Sequence, residues 1–302
     1  MELNFELLRV AIALIGTAVV AYQDYKTSFI DDKIVYAMIA GGLLINLLTL
    51  DRGFILFSIG GAALIGAVGY FVYRSGQFGA GDILLFAALQ LLLPLPALEF
   101  AKMLNATPLV NNAVYINISQ VFPFFFSIFV ISSVLALVGS SAMYAYYLHK
   151  KKAKWKPNKP MLAISTIAGI AFIAWFNSNL STIGLHPGAI AALAVIIGAA
   201  VFSACMKDQI MDEVIIQKLP LAKTEDEDVV ATERMDAKLV KKYCIERVLT
   251  TQNLAKLKKL QREEKITRFP VYKHLPRFVP YVFVSLALNL LVISPMAYIL
   301  FS

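Results

Sequence analysis

Two carboxylates stand at the edges of apolar runs. Asp24, in Tyr22-Gln23-Asp24-Tyr25-Lys26, closes the run that begins at Phe5. Asp82, in Phe78-Gly79-Ala80-Gly81-Asp82-Ile83-Leu84-Leu85-Phe86, opens another. A charge at the threshold of a membrane span is costly unless it meets a partner or a wet cavity, so each is a candidate functional residue. Two carboxylates that share a water can perform acid and base work together. Like charges about 3 Å apart do not both ionise comfortably, so such a pair holds one proton between its members. The ionised member takes a proton from water, which attacks a peptide carbonyl. The protonated member donates to the carbonyl oxygen or the leaving nitrogen. That hydrolysis needs no metal ion and no nucleophilic side chain.

The two glycines before Asp82 have their own expected roles. Gly79 and Gly81 lack a Cβ, which permits φ > 0 and close approach to an extended peptide. They also allow the segment to unwind ahead of the span, where irregular backbone is tolerated if it lines a wet cavity. Blander readings stand beside these: Asp82 as a helix N-cap, and Asp24 as a solvated span end.

The elements that must position these residues are membrane spans. The chain of 302 residues is 59% hydrophobic and 16% charged. Soluble domains carry about 25% charged residues, so most of this chain suits lipid. Apolar runs of roughly spanning length occur at Phe5–Gln23, Ile34–Leu50, Phe54–Tyr73, Ile83–Phe100, Val121–Leu148, Met161–Phe176, Ala189–Met206 and Phe278–Phe301. Pro94 and Pro96 are placed to end the fourth early. The first run lacks a basic segment before it and reads as a retained span rather than a cleaved signal. The expected fold is an all-α polytopic membrane protein of about six to eight transmembrane helices. Residues 1–206 would form a transmembrane catalytic domain and 207–277 a small cytoplasmic domain, helical or α+β. Residues 278–302 would form a last span.

Basic residues orient the spans. With the N-terminus outside, 25 of the 28 Lys and Arg fall in inner connections, against Arg52 and Lys102 outside and Arg9 within the first span. The sequons at Asn105 and Asn117 then lie outside. Asp24 and Asp82 both come to the inner face at similar depth. The +8 net charge is explained by this sidedness, and no nucleic acid is needed.

Cys205 and Cys244 are far apart without a CxxC, and His149, His186 and His274 are isolated, so no metal site and no cofactor is expected. Between Lys207 and Arg277, Val229-Val230-Ala231 suggests a short strand, and Lys218-Leu219-Pro220-Leu221 a turn-rich start. Apolar residues from Met235 to Lys265 recur at helical spacing, at Leu239, Val240, Tyr243, Cys244, Val248, Leu254, Leu257 and Leu260. Two readings of this segment stand: the acidic stretch Glu225–Asp228 holds a basic peptide, or, as the charge pattern favours, the segment is a solvated face whose lysines meet anionic headgroups of membrane lipids.

Gly79-Ala80-Gly81-Asp82 at the inner start of the fourth span, with Asp24 closing the first, resembles the archaeal preflagellin and prepilin peptidases. These are GxGD-type intramembrane aspartic peptidases, related to bacterial type IV prepilin peptidases and sharing the motif with presenilin. The stretch from Asp24 through Asp31 and Asp32 to Ile34 is similar to the family's first motif. The resemblance implies Asp24 and Asp82 as the catalytic pair and Gly79 and Gly81 as motif glycines. Asp31 and Asp32 fit the motif's tail but read better as capping for the second span. It further implies a plasma-membrane hydrolase that removes short basic leaders from preflagellins or type IV pilin-like precursors, with its active site facing the cytoplasm. The cysteine-rich zinc loop of bacterial relatives is absent, so peptidase activity without methyl transfer is expected. Pro276-Arg277-Phe278-Val279-Pro280 stands where presenilin carries a proline-leucine motif and could border the substrate groove. An alternative from another class is a transporter using Asp24 and Asp82 as a proton or cation relay. Transporter sites usually lie near the midplane on broken helices within repeats, and this pair lies at one edge.

Overall fold

The computed structural model describes residues 5–28, 30–74, 78–95, 124–178, 187–221, 224, 228–247, 249–264, 266–273 and 276–292. Four helices open the chain: α1 (Phe5–Thr27), α2 (Asp32–Leu48), α3 (Arg52–Arg74) and α4 (Ala80–Leu92). Three follow, α5 (Phe124–Lys150), α6 (Lys159–Ser178) and α7 (Pro187–Ile210). Phe5–Thr27, Arg52–Arg74, Phe124–Lys150 and Ala191–Ile215 are long and apolar enough to cross a membrane. Ala80–Leu92, Lys159–Trp175 and Val279–Leu290 are shorter apolar helices. The chain is thus a polytopic helical membrane protein, as its composition requires.

α4 is apolar around its whole circumference and occupies the centre of the first group, in contact with α1, α2 and α3. Every residue from Leu85 to Leu92 is buried. The helix stops at Leu92, two residues before Pro94, as a proline demands. Its contacts with α3 depend on small residues: a Cβ on Gly61 would lie 2.6 Å from Gln90 Nε2, and one on Gly69 would strike Ile83. Close backbone approach at small residues is how helices associate in lipid, where no hydrophobic drive separates helix from tail.

A buried polar thread ties the far end of this group. Arg9 is fully buried on α1; its guanidinium donates to Asn46 Oδ1, approaches Glu6 Oε1 at 3.5 Å and lies 4.9 Å from the Phe54 ring centroid. Asn46 Nδ2 in turn donates to Ser58 Oγ at 2.8 Å and to the Leu91 carbonyl at 3.0 Å. The last carbonyls of α4 have no partner within the helix, and Asn46 supplies one.

Beyond α7 the chain runs through a π-helical turn, Met211–Ile215, into a small α+β unit. Strands β1 (Ile216–Leu219), β2 (Val229–Val230) and β3 (Phe269–Tyr272) form an antiparallel sheet in the order β1-β3-β2, with Leu219 opposite Phe269 and Val229 opposite Tyr272. The strand at Val229-Val230 is present, but Lys218 and Leu219 lie in a strand rather than a turn. Their partner is far along the chain, and local composition carries no sign of it. The periodic stretch from Met235 is two helices, α8 (Ala237–Tyr243) and α9 (Thr251–Glu264), not one. Cys244 adopts the left-handed conformation (φ 47°, ψ 52°) and closes α8. Asn253 fastens the turn, accepting from Glu246 N–H at 3.1 Å and donating to its carbonyl. Leu239, Val240, Tyr243 and Leu254 nevertheless pack on one core with Leu257, Leu260 and Phe269. The spacing marked a shared buried face.

The last described helix, α10 (Val279–Val292), returns to the membrane group and lies between α1 and α5. α5 also carries α7, and α7 carries α6.

Candidate active site

Asp24 lies on the last full turn of α1 and is buried, with 8% exposure. Its Oδ2 accepts the Val279 N–H of α10 at 3.1 Å. Val279 is the first residue of α10, whose leading N–H groups have no partner within the helix, so the carboxylate satisfies one of them. Arg277, two residues earlier, clamps the same junction. Its guanidinium donates to the Tyr25 carbonyl and, through Nε, to Ser28 Oγ at 3.2 Å, and it lies 5.3 Å from the Tyr25 ring centroid.

Asp82 is the third residue of α4 and is half-buried. It is not the N-cap: Gly79 holds that position, and Asp82 Oδ2 accepts the Gly79 N–H at 3.2 Å. A carboxylate at this position reaching back to the cap N–H is half of a capping box; glycine has no side chain to return the bond. Neither motif glycine uses positive φ. Gly79 is extended (φ −72°, ψ 152°), and Gly81 lies within the first turn of α4. Gly81 is small for a packing reason: a Cβ there would sit 3.0 Å from both Cβ and Cδ1 of Ile30 in the α1–α2 connection. Missing bulk, not backbone freedom, lets that connection lie on the start of α4.

The two aspartates, 58 residues apart in the chain, come within electrostatic reach of each other at one end of the bundle. An aromatic cluster joins their surroundings. Phe278, next to Val279, meets Phe78 edge-on at 5.2 Å and Phe86 at 6.0 Å, and Phe86 meets Phe129 of α5 at 5.4 Å. Asp24 is therefore tied to α10 by hydrogen bonds, while the motif that carries Asp82 is tied to the same α10 entry by ring contacts.

Asp31 caps α2, its Oδ1 accepting from Lys33 N–H at 3.0 Å, and Asp32 is the first residue of that helix. Gln23 Oε1 receives the Asp31 N–H at 3.2 Å, which fixes the connection behind Asp24. Asp228, the described member of the acidic stretch, pairs with Lys273 at 2.9 Å. Glu225, Asp226 and Glu227 lie outside the described residues, as do Pro96, both sequons, His186 and His274. Among the described residues no group of three or more His, Cys, Asp or Glu is placed to hold a metal. A cavity of about 400 Å³ lies between Tyr70 and Tyr73 of α3 and Glu246 and Thr250 of the small unit; neither aspartate lines it. The segment around Arg277, which by sequence could border a substrate groove, lies against the end of α1. Its bonds to α1 had no local signal, because they join residues some 250 positions apart.

The stretch that carries both carboxylates is similar in sequence to a known family. Residues 11–147 match the Type IV leader peptidase family. The matched region runs from α1 into α5 and contains Asp24, Gly79, Gly81 and Asp82. The chain is also 30% identical over 147 residues to the prepilin peptidase EppA of Methanothermobacter thermautotrophicus. That alignment covers 47% of this chain and 36% of the relative, so the chain spans about a third of the length of the curated relative it matches. No solved structure matches. α6, α7 and the small α+β unit lie beyond the leader-peptidase region, whereas α10 also lies beyond it and yet contacts Asp24.

Proposed function

We propose that this protein is a membrane-embedded aspartic endopeptidase that removes the short basic leader of preflagellins or type IV pilin-like precursors. The observation that carries the reading is the juxtaposition of Asp24 and Asp82, from two helices of the leader-peptidase region, at one end of the bundle. One carboxylate takes a proton from water as the oxygen attacks the scissile carbonyl. The other donates its proton to the leaving nitrogen as the carbon–nitrogen bond breaks, and the pair is reset by the proton taken from water. The distribution of Lys and Arg supports an inward-facing site in a multi-pass protein of the cell membrane. A basic leader held on the cytoplasmic side would reach the pair there. On this reading residues 207–277 form a cytoplasmic domain.

The test is cleavage of a panel of flagellin-like and pilin-like precursors by the full chain in membranes, comparing wild type with Asp24→Asn, Asp82→Asn and Asp31→Asn. Cleavage is expected to fall by at least about a thousandfold in the first two, the scale of losing an acid–base group. Asp31→Asn is expected to stay within about threefold, because asparagine also caps helices. Wild-type cleavage by either of the first two variants ends the two-aspartate mechanism and brings a transporter reading forward.

A further inference from the structure

The two aspartates are held differently, and the difference assigns their roles. Asp24 accepts the leading N–H of α10 at 3.1 Å, and the guanidinium charge of Arg277 acts on it. Asp82 accepts an N–H from its own cap residue, Gly79, and the charge that acts on it is the carboxylate of Asp24. A helix N-terminus and a cation both favour a negative neighbour. Asp82 also meets a helix N-terminus, that of its own α4, but among the described residues only Asp24 has a cation acting on it.

Arg277 cannot act as a loose surface charge. Its bonds to the Tyr25 carbonyl and Ser28 Oγ, with its stack on the Tyr25 ring, fix the segment Arg277-Phe278 against the end of α1. That contact determines where α10 begins. The Phe278 carbonyl accepts the first helical bonds, from Tyr281 and Val282 N–H, so Val279 is left with its N–H pointing at Asp24. The Tyr25 and Ser28 acceptors follow Asp24 closely in the chain, and the Ser28 N–H donates to the Asp24 carbonyl, so the clamp and the carboxylate move as one piece.

We propose that Arg277 is a positioning residue that, through the Val279 N–H, commits Asp24 to be the base that deprotonates the water and leaves Asp82 as the acid that protonates the leaving amine. This rests on the aspartic-peptidase reading above and deepens it. The charged groups facing Asp24 are Arg277, from the segment before α10, and Asp82, from α4. On the α2 side, Asp31 is engaged in capping its own helix. The acid limb of the pH–rate profile therefore reports Asp24 under the influence of Arg277.

The experiment measures kcat/KM against pH for the full chain in proteoliposomes. It uses whichever precursor the wild type cleaves in the panel above, with the variants R277Q, R277K and V279P. In R277Q the cation is lost, and the acid limb is expected to move up by about one pH unit. R277K keeps the charge but cannot span both acceptors; its limb is expected to stay within about 0.3 unit while the plateau falls about tenfold. V279P removes the donor at the first helical position, where proline is tolerated, and is expected to shift the limb in the same direction as R277Q. A uniform loss of rate with an unmoved limb in both R277Q and V279P overturns the proposal and leaves Arg277 a tether only. Should R277Q fail to insert, R277K and V279P still decide the matter. Failure of the underlying reading looks different: Asp24→Asn would then cleave at the wild-type rate.

Discussion

At the scale of single residues, the motif glycines show how one observation can have two physical causes. Glycine before a candidate catalytic aspartate suggests a special backbone, yet Gly79 is extended and Gly81 is helical. What Gly81 supplies is space, with Ile30 3.0 Å from where a Cβ would stand. Gly81→Ala is therefore expected to lower cleavage about tenfold, on the scale of a modest overpacking penalty of about 1–3 kcal/mol. The second-site change Ile30→Ala should restore most of the rate. Measuring the single and double variants closes the cycle, and a double variant as slow as Gly81→Ala would show that the glycine is needed for its backbone after all. The aspartates were legible as candidates because charge is rare beside apolar runs. Their unequal surroundings were not, since the donors to Asp24 come from the far end of the chain.

At the scale of elements, α4 is the piece on which the proposed site depends. It carries Asp82 at one end and receives the Asn46 side chain at the Leu91 carbonyl near the other. Asn46 also accepts from the buried Arg9 and donates to Ser58, so one side chain joins four helices. Asn46→Leu leaves the guanidinium short of an acceptor in a dry environment. It is expected to cost about 3 kcal/mol, read as a lowered midpoint in thermal unfolding of the detergent-solubilised protein. Activity per folded molecule should hold within about threefold, because the thread lies at the opposite end of α4 from Asp82. The end of α4 was readable from Pro94. The paired β1 and β3, and the break between α8 and α9 at Cys244, were not, because long-range pairing and a single left-handed residue leave no periodic trace.

At the scale of the whole molecule, α10 is the element that reaches the proposed site, although it lies outside the residues that match the leader-peptidase family. It meets α1 on one side and α5 on the other, so a helix from late in the chain packs against the helix that carries Asp24. Sidedness can be tested with the native cysteines. Cys244 is exposed in the small unit and Cys205 is buried on α7. A membrane-impermeant maleimide is expected to label Cys244 in inside-out vesicles and not in intact cells, with Cys205 unlabelled in both. Cys244 labelling in intact cells would reverse the orientation and place the aspartates on the outer face.

Taken alone, the amino-acid order determined that this chain enters a membrane, roughly where its helices lie and which two carboxylates merit attention. Those properties follow from local hydropathy and from the cost of charge near lipid, both of which accumulate residue by residue. Only the tertiary structure decided that α10 returns to Asp24, that Arg277 clamps the junction and that the glycines serve packing. Those depend on contacts between distant segments, and their geometry exists only once the helices are assembled.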